Sequence, residues 1–141
     1  MSPPLNVLVV DDSTAMRAMI KKTLAAAGFS LNHCFEAANG RAALDIIRAN
    51  QLDVVLCDLH MPEMTGLELL EALQKENRVP RCFILVTTEG RRDRLQKALG
   101  FGARGYVVKP FQPEGLRKIL SLFVGEPDGP ADDESLTGLD F

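Results

Sequence analysis

Short apolar runs and longer amphipathic stretches alternate along the first 124 residues. Leu5–Val10 (L-N-V-L-V-V) is short and strand-like. Ser13–Ala27 puts Met16, Met19, Ile20 and Leu24 on one helical face, and Gly28 ends it. His33–Ala37 is a candidate second strand, and Arg41–Asn50 carries Ala43, Leu44 and Ile47 at helical spacing. Asp53–Cys57 (D-V-V-L-C) reads as a buried strand. Thr65 and Glu68 have capping-box spacing ahead of Leu69, Leu70 and Leu73, which predicts a helix over Thr65–Glu76. Cys82–Thr87 (C-F-I-L-V-T) is the fourth strand, Arg91–Leu99 a basic helix with few apolar anchors, and Arg104–Val108 the fifth strand. Pro113 suits the first position of a last helix, with Leu116, Ile119, Leu120 and Phe123 as its buried stripe.

Five strands alternating with five helices predict an α/β protein: a five-stranded parallel sheet, doubly wound, covered on both faces. One domain over residues 1–124 accounts for them, with no internal repeat. Beyond Val124 the composition shifts to G-E-P-D-G-P-A-D-D-E-S. Residues 125–141 hold six acids and no base, so they are expected to form a flexible acidic tail on a mildly basic domain. That tail ends S-L-T-G-L-D-F, where Leu136, Leu139 and Phe141 are either a disordered end or a short docking peptide.

Composition narrows the functional classes. The hydrophobic fraction of 46% and charged fraction of 25% are ordinary for a globular chain. No apolar run is long enough to span a bilayer, and M-S-P-P-L-N lacks the features of a signal peptide, so a cytoplasmic location is expected. The 13 acids against 16 bases in residues 1–124 are too even to argue for nucleic acid. Cys34, Cys57 and Cys82 have no C-x-x-C spacing, and are expected to be small buried hydrophobes in a reducing compartment.

In an open α/β sheet, ligands bind beyond the carboxyl ends of the strands. Asp11 and Asp12 follow the first strand there, and Asp58 follows the third. Thr87 ends the fourth, ahead of Thr88 and Glu89, and Lys109 follows the fifth, ahead of Pro110. By themselves, Asp11 and Asp12 could cap the next helix, share a proton as a catalytic dyad or hold a cation. Three carboxylates converging on one edge repel unless something positive sits among them, and a hard divalent cation such as Mg²⁺ fits best. Lys109 adds a point charge and Thr87 a hydroxyl for an oxyanion. With Mg²⁺ these are the parts of phosphoryl transfer, in which a carboxylate can itself be the nucleophile.

The stretches V-D-D-S-T-A-M-R, L-C-D-L-H-M-P-E-M-T-G, L-V-T-T-E-G and G-Y-V-V-K-P-F, in that order, resemble the receiver domains of bacterial response regulators over about residues 5–124. The likeness is greatest to the stand-alone, CheY-like chemotaxis regulators. It implies a flavodoxin-like strand order of 2-1-3-4-5, which is taken from the family rather than from the pattern. It also implies that Asp58 is the phosphoacceptor, and that Asp12, Asp58 and the backbone carbonyl of His60 ligate Mg²⁺. Asp11 would act through metal-bound water, and Lys109 would pair with Asp58 and then with the phosphoryl group. Thr87 would bind a phosphoryl oxygen, and Tyr106 would turn inward as Thr87 moves. The Lys109–Pro110 bond would be cis, and His60 and Glu89 would tune the phosphoryl lifetime.

By the same resemblance, the chain is expected to be a signalling phosphoacceptor that catalyses only its own phosphorylation and dephosphorylation. The implied partners are a sensor histidine kinase, a flagellar motor switch protein or other effector, and a phosphatase; nucleic acid and membrane are not among them. The implied state is a monomer or a weak, phosphorylation-dependent dimer. A phosphorelay shuttle, an aspartyl-phosphate hydrolase, a flavodoxin-like nucleotide binder and a phosphate-free pseudo-receiver are the alternatives. The hydrolase wants an acid where His60 stands, and the nucleotide binder wants a phosphate loop where D-D-S-T stands.

Overall fold

A computed structural model describes residues 4–88, 92–109 and 112–127. Its elements are β1 (Leu5–Val10), α1 (Thr14–Ala26), β2 (Leu31–Ala37), α2 (Gly40–Ala49), β3 (Val54–Cys57), α3 (Gly66–Lys75), β4 (Phe83–Thr87), α4 (Arg92–Gly100), β5 (Gly105–Val108) and α5 (Pro113–Val124). The strands form one sheet in the order β2-β1-β3-β4-β5, and every neighbouring pair is parallel. The α/β fold expected from the alternation is therefore present, in the strand order that the family resemblance implied. Among the described residues no helix is long and apolar enough to cross a membrane.

Alternation along each strand divides the core in two. Val7, Val9, Leu56 and Ile84 face Ile20 and Leu24 of α1 and Leu116 and Leu120 of α5. Leu8, Val10, Val55 and Leu85 face Leu44 and Ile47 of α2, Leu69 and Leu73 of α3, and Leu95 of α4. Burial on both faces explains why β1, β3 and β4 read as continuous apolar runs. β2 lies at the sheet edge with Asn32 and His33 exposed, so its apolar signal starts later in sequence than the strand itself.

Local chemistry sets the helix ends. Ser13 Oγ accepts from Met16 N–H at 3.1 Å, so the serine, not either aspartate, caps α1. Gly28, with φ of 96°, takes the chain out of that helix. Thr65 and Glu68 form the expected capping box, and Pro113 opens α5. α4 buries little beyond Leu95 and Ala98 among its described side chains. Beyond residue 127 the acidic segment, with Leu136, Leu139 and Phe141, lies outside the described residues, as do Glu89 and Pro110.

Candidate functional site

The carboxyl ends of β1, β3 and β5 bring Asp11, Asp12, Asp58 and Lys109 together. Asp11 continues β1 by one hydrogen bond, donating its N–H to Ala37 O at 3.1 Å, and is only 2% exposed. Its Oδ1 accepts from Ser13 N–H at 2.9 Å and its Oδ2 from Lys109 Nζ at 3.0 Å. Asp12, one residue on, is exposed. The pair thus splits into an inner and an outer carboxylate, because the chain turns into α1 between them.

Asp58 is held from both sides. Its N–H donates to Val10 O at 2.9 Å, which ties it to the end of β1. Its Oδ1 accepts from His60 N–H at 3.3 Å. One carboxylate oxygen from each of Asp11, Asp12 and Asp58 lies within 4.8 Å of the others, a spacing a single cation can span. Partial burial holds the Asp58 carboxyl above the usual range; Lys109 opposes that shift and Asp11 adds to it.

Lys109 follows β5, and its N–H donates to Thr87 O at 2.8 Å. Its ammonium stands between two carboxylates, nearer Asp11 (3.0 Å) than Asp58 (3.6 Å). The hydrogen bond therefore goes to the more buried acid, and the contact with Asp58 is an ion pair beyond hydrogen-bond range. Thr87 is fully buried at the end of β4. Tyr106, facing Leu85 across β4 and β5, is 43% exposed. His60 is exposed, with Nδ1 3.5 Å from Arg94 Nη1.

The loop after Asp58 is packed from two directions. Gly66 N–H donates to Leu59 O at 3.0 Å, and a Cβ at Gly66 would stand 2.7 Å from Asp58 O. Gly40 N–H donates to Met64 O at 3.2 Å and likewise leaves no room for a Cβ. Sequence reasoning passed over these glycines, and it passed over Arg17 and Glu36. Arg17 Nη1 donates to Asp11 O at 2.6 Å, and its Nε donates to Glu36 Oε1 at 2.9 Å. The signal for Arg17 was its place in D-D-S-T-A-M-R, little more than a turn past the cap; Glu36, on β2, left none.

Of the cysteines, Cys57 touches the site, its thiol donating to Asp58 O at 3.2 Å. All three are free thiols, Cys57 and Cys82 are buried, and burial pushes the Cys82 thiol up to about 12.

A family model described as the response regulator receiver domain matches residues 7–121. Chemotaxis protein CheY1 of Helicobacter pylori is 38% identical over 126 residues, 88% of this chain and 100% of that protein. Chemotaxis protein CheY4 of Vibrio cholerae superposes with a TM-score of 0.75 at 36% identity, over 86% of this chain and 99% of that one. A chain of the CheX–CheY–BeF₃–Mg²⁺ complex from Borrelia burgdorferi gives a TM-score of 0.74 at 27% identity, over 84% of this chain and 89% of that one. Because these matches run from the first strand into the last helix, the chain belongs to the response regulator receiver domain family, as a CheY-like member of two-component signalling.

Proposed function

We propose that the chain is a phosphorylation-operated switch whose phosphoacceptor is Asp58. The observation that carries the reading is the cluster of Asp11, Asp12 and Asp58 with Lys109 between two of them. Three acids with oxygen donors fit a hard divalent ion, so Asp12 and Asp58 would ligate Mg²⁺ with the His60 carbonyl, and Asp11 through water. When bound, Mg²⁺ supplies charge neutralisation to the transferring phosphoryl group. Asp58 supplies the nucleophile: a carboxylate oxygen attacks the phosphorus of a kinase phosphohistidine, forming a P–O bond as the P–N bond breaks and the imidazole leaves. Lys109, 3.6 Å from Asp58, would follow the charge from that carboxylate to its acyl phosphate, and the hydroxyl of Thr87, at the end of β4, would donate to a phosphoryl oxygen.

The chain thereby catalyses its own phosphorylation and dephosphorylation and turns over no other substrate. The switch element would be α4, thinly anchored by Leu95 and Ala98, together with β5 and Tyr106. The chemotaxis names of its relatives favour a histidine kinase upstream and the flagellar motor switch downstream, in the cytoplasm. The Borrelia complex adds a CheX-type protein as a candidate binding partner. The hydrolase alternative lacks its acid, since exposed His60 stands two residues after Asp58.

Intact-protein mass spectrometry after acetyl phosphate tests the reading. One phosphoryl adduct that requires both Mg²⁺ and Asp58 is expected. Undiminished labelling of Asp58→Asn would place the acceptor elsewhere. No adduct, together with no binding of beryllofluoride, would make the chain a pseudo-receiver.

A further inference from the structure

Arg17 lies outside the acidic cluster but is bonded to its backbone. Its Nη1 donates to Asp11 O at 2.6 Å, Nε to Glu36 Oε1 at 2.9 Å and Nη2 to Thr14 Oγ1 at 3.2 Å. The carbonyl it grips belongs to the peptide plane that joins Asp11 to Asp12, so one contact fixes the setting of both carboxylates. The guanidinium is mostly enclosed, with 13% of the side chain exposed. Glu36 is supplied by β2, opposite Val9 in the β1–β2 register, and its other oxygen takes Lys21 Nζ at 2.9 Å. A fork of donors aimed at three acceptors from three segments is a geometry that a lysine cannot reproduce.

We propose that Arg17, anchored by Glu36, is the positioning residue of the Mg²⁺ pocket: it holds the Asp11–Asp12 peptide so that both carboxylates face Asp58. The inference rests on the metal-binding reading above and extends it to two residues that touch no metal. It sets two effects against each other. A guanidinium beside the pocket repels an incoming cation, so its charge alone weakens Mg²⁺ binding. Its grip on the loop strengthens binding by removing the work of organising the acids. The proposal is that the grip outweighs the charge, as outer partners commonly do for metal ligands.

Mg²⁺ alone is the probe, titrated by calorimetry into the full chain. Arg17→Lys keeps the charge and loses the fork, and should weaken Mg²⁺ binding about tenfold. Glu36→Gln keeps Arg17 but loosens its anchor, and should weaken binding in the same direction. The part of its charge effect that runs through solvent is screened by working at 1 M tetramethylammonium chloride, where the Debye length is about 3 Å. Lys21→Met, which leaves the Arg17 fork in place, should stay within about twofold of wild type. In acetyl phosphate labelling, Arg17→Lys should shift the Mg²⁺ concentration for half-maximal rate while the rate at saturating Mg²⁺ recovers. A merely structural arginine would lower the melting temperature and leave that concentration alone.

Wild-type Mg²⁺ affinity in Arg17→Lys overturns the inference, and wild-type affinity in Glu36→Gln overturns the anchoring. Should Arg17→Lys not fold, Glu36→Gln decides alone. A wild-type chain that takes up no Mg²⁺ would sink the metal-binding reading itself, an outcome distinct from a wild type that binds and variants that bind equally well.

Discussion

Replacing Gly66 by alanine puts one methyl group where α3 meets the phosphoacceptor loop. The new Cβ would stand 2.7 Å from Asp58 O and 3.2 Å from Leu59 Cα, both backbone atoms. Ordinary contact begins near 3.4 Å, so the loop and the helix start must separate by roughly 0.7 Å. Overpacking of this kind costs about 1–3 kcal/mol. The better helix propensity of alanine returns only part of about 1 kcal/mol, because Gly66 is the first helical residue. A net loss of about 1–2 kcal/mol lowers the melting temperature of a domain this size by about 3–10 °C. The effect on chemistry should be larger, because the displaced atoms are the backbone of Asp58 itself. Misplacing a nucleophile by a fraction of an ångström is expected to slow acetyl phosphate labelling about 10- to 100-fold. Gly115→Ala is the control: its Cβ meets nothing within 4 Å, so it should stabilise α5 by about 0.5–1 kcal/mol without changing the labelling rate. The measurements are thermal unfolding in Mg²⁺-free buffer and time-resolved mass spectrometry of the adduct. A Gly66→Ala protein that labels at the wild-type rate would refute the claim that this close approach sets the Asp58 geometry.

Other perturbations follow from the charges of the site. Burial raises the Asp58 carboxyl in the metal-free protein, so its contribution to stability is present below the ordinary aspartate value of about 3.9 and is lost as pH rises through the raised value. Asp58→Asn in EDTA should therefore melt above wild type at pH 7, and the gap should close as pH falls through that window; a gap independent of pH would contradict the burial argument. Lys109→Met removes the cation that competes for Asp11 and Asp58, so Mg²⁺ affinity measured by calorimetry should rise while labelling slows. Weaker Mg²⁺ binding would count against that competition. Tyr106 is the only tyrosine in a chain without tryptophan, so intrinsic fluorescence reports one ring, 43% exposed at rest. Acrylamide quenching should fall when Mg²⁺ and beryllofluoride are added together, and unchanged quenching would remove Tyr106 from the switch.

The alternation of apolar runs and amphipathic stretches determined the class of fold, because a strand covered on both faces is apolar at nearly every position. The same logic located the chemistry: charged residues directly after such strands can only be at the carboxyl edge. Capping by Thr65 and Glu68 and the start of α5 at Pro113 were legible for a related reason, since those bonds lie within a turn of the residues that make them. Tertiary structure decided the rest. Asp11 is buried and Asp12 exposed although they are neighbours, and Lys109 lies nearer Asp11 than Asp58. Neither follows from the local sequence, because Lys109 is 98 residues from Asp11 along the chain. Gly66 looks like any helix-opening glycine until the Asp58 carbonyl arrives beneath it, and Glu36 like any exposed acid on an edge strand until Arg17 reaches it from α1. Short-range patterns fix periodicity and caps, whereas distances between side chains on different strands depend on how the sheet assembles, and that is where the site acquires its inner and outer acids.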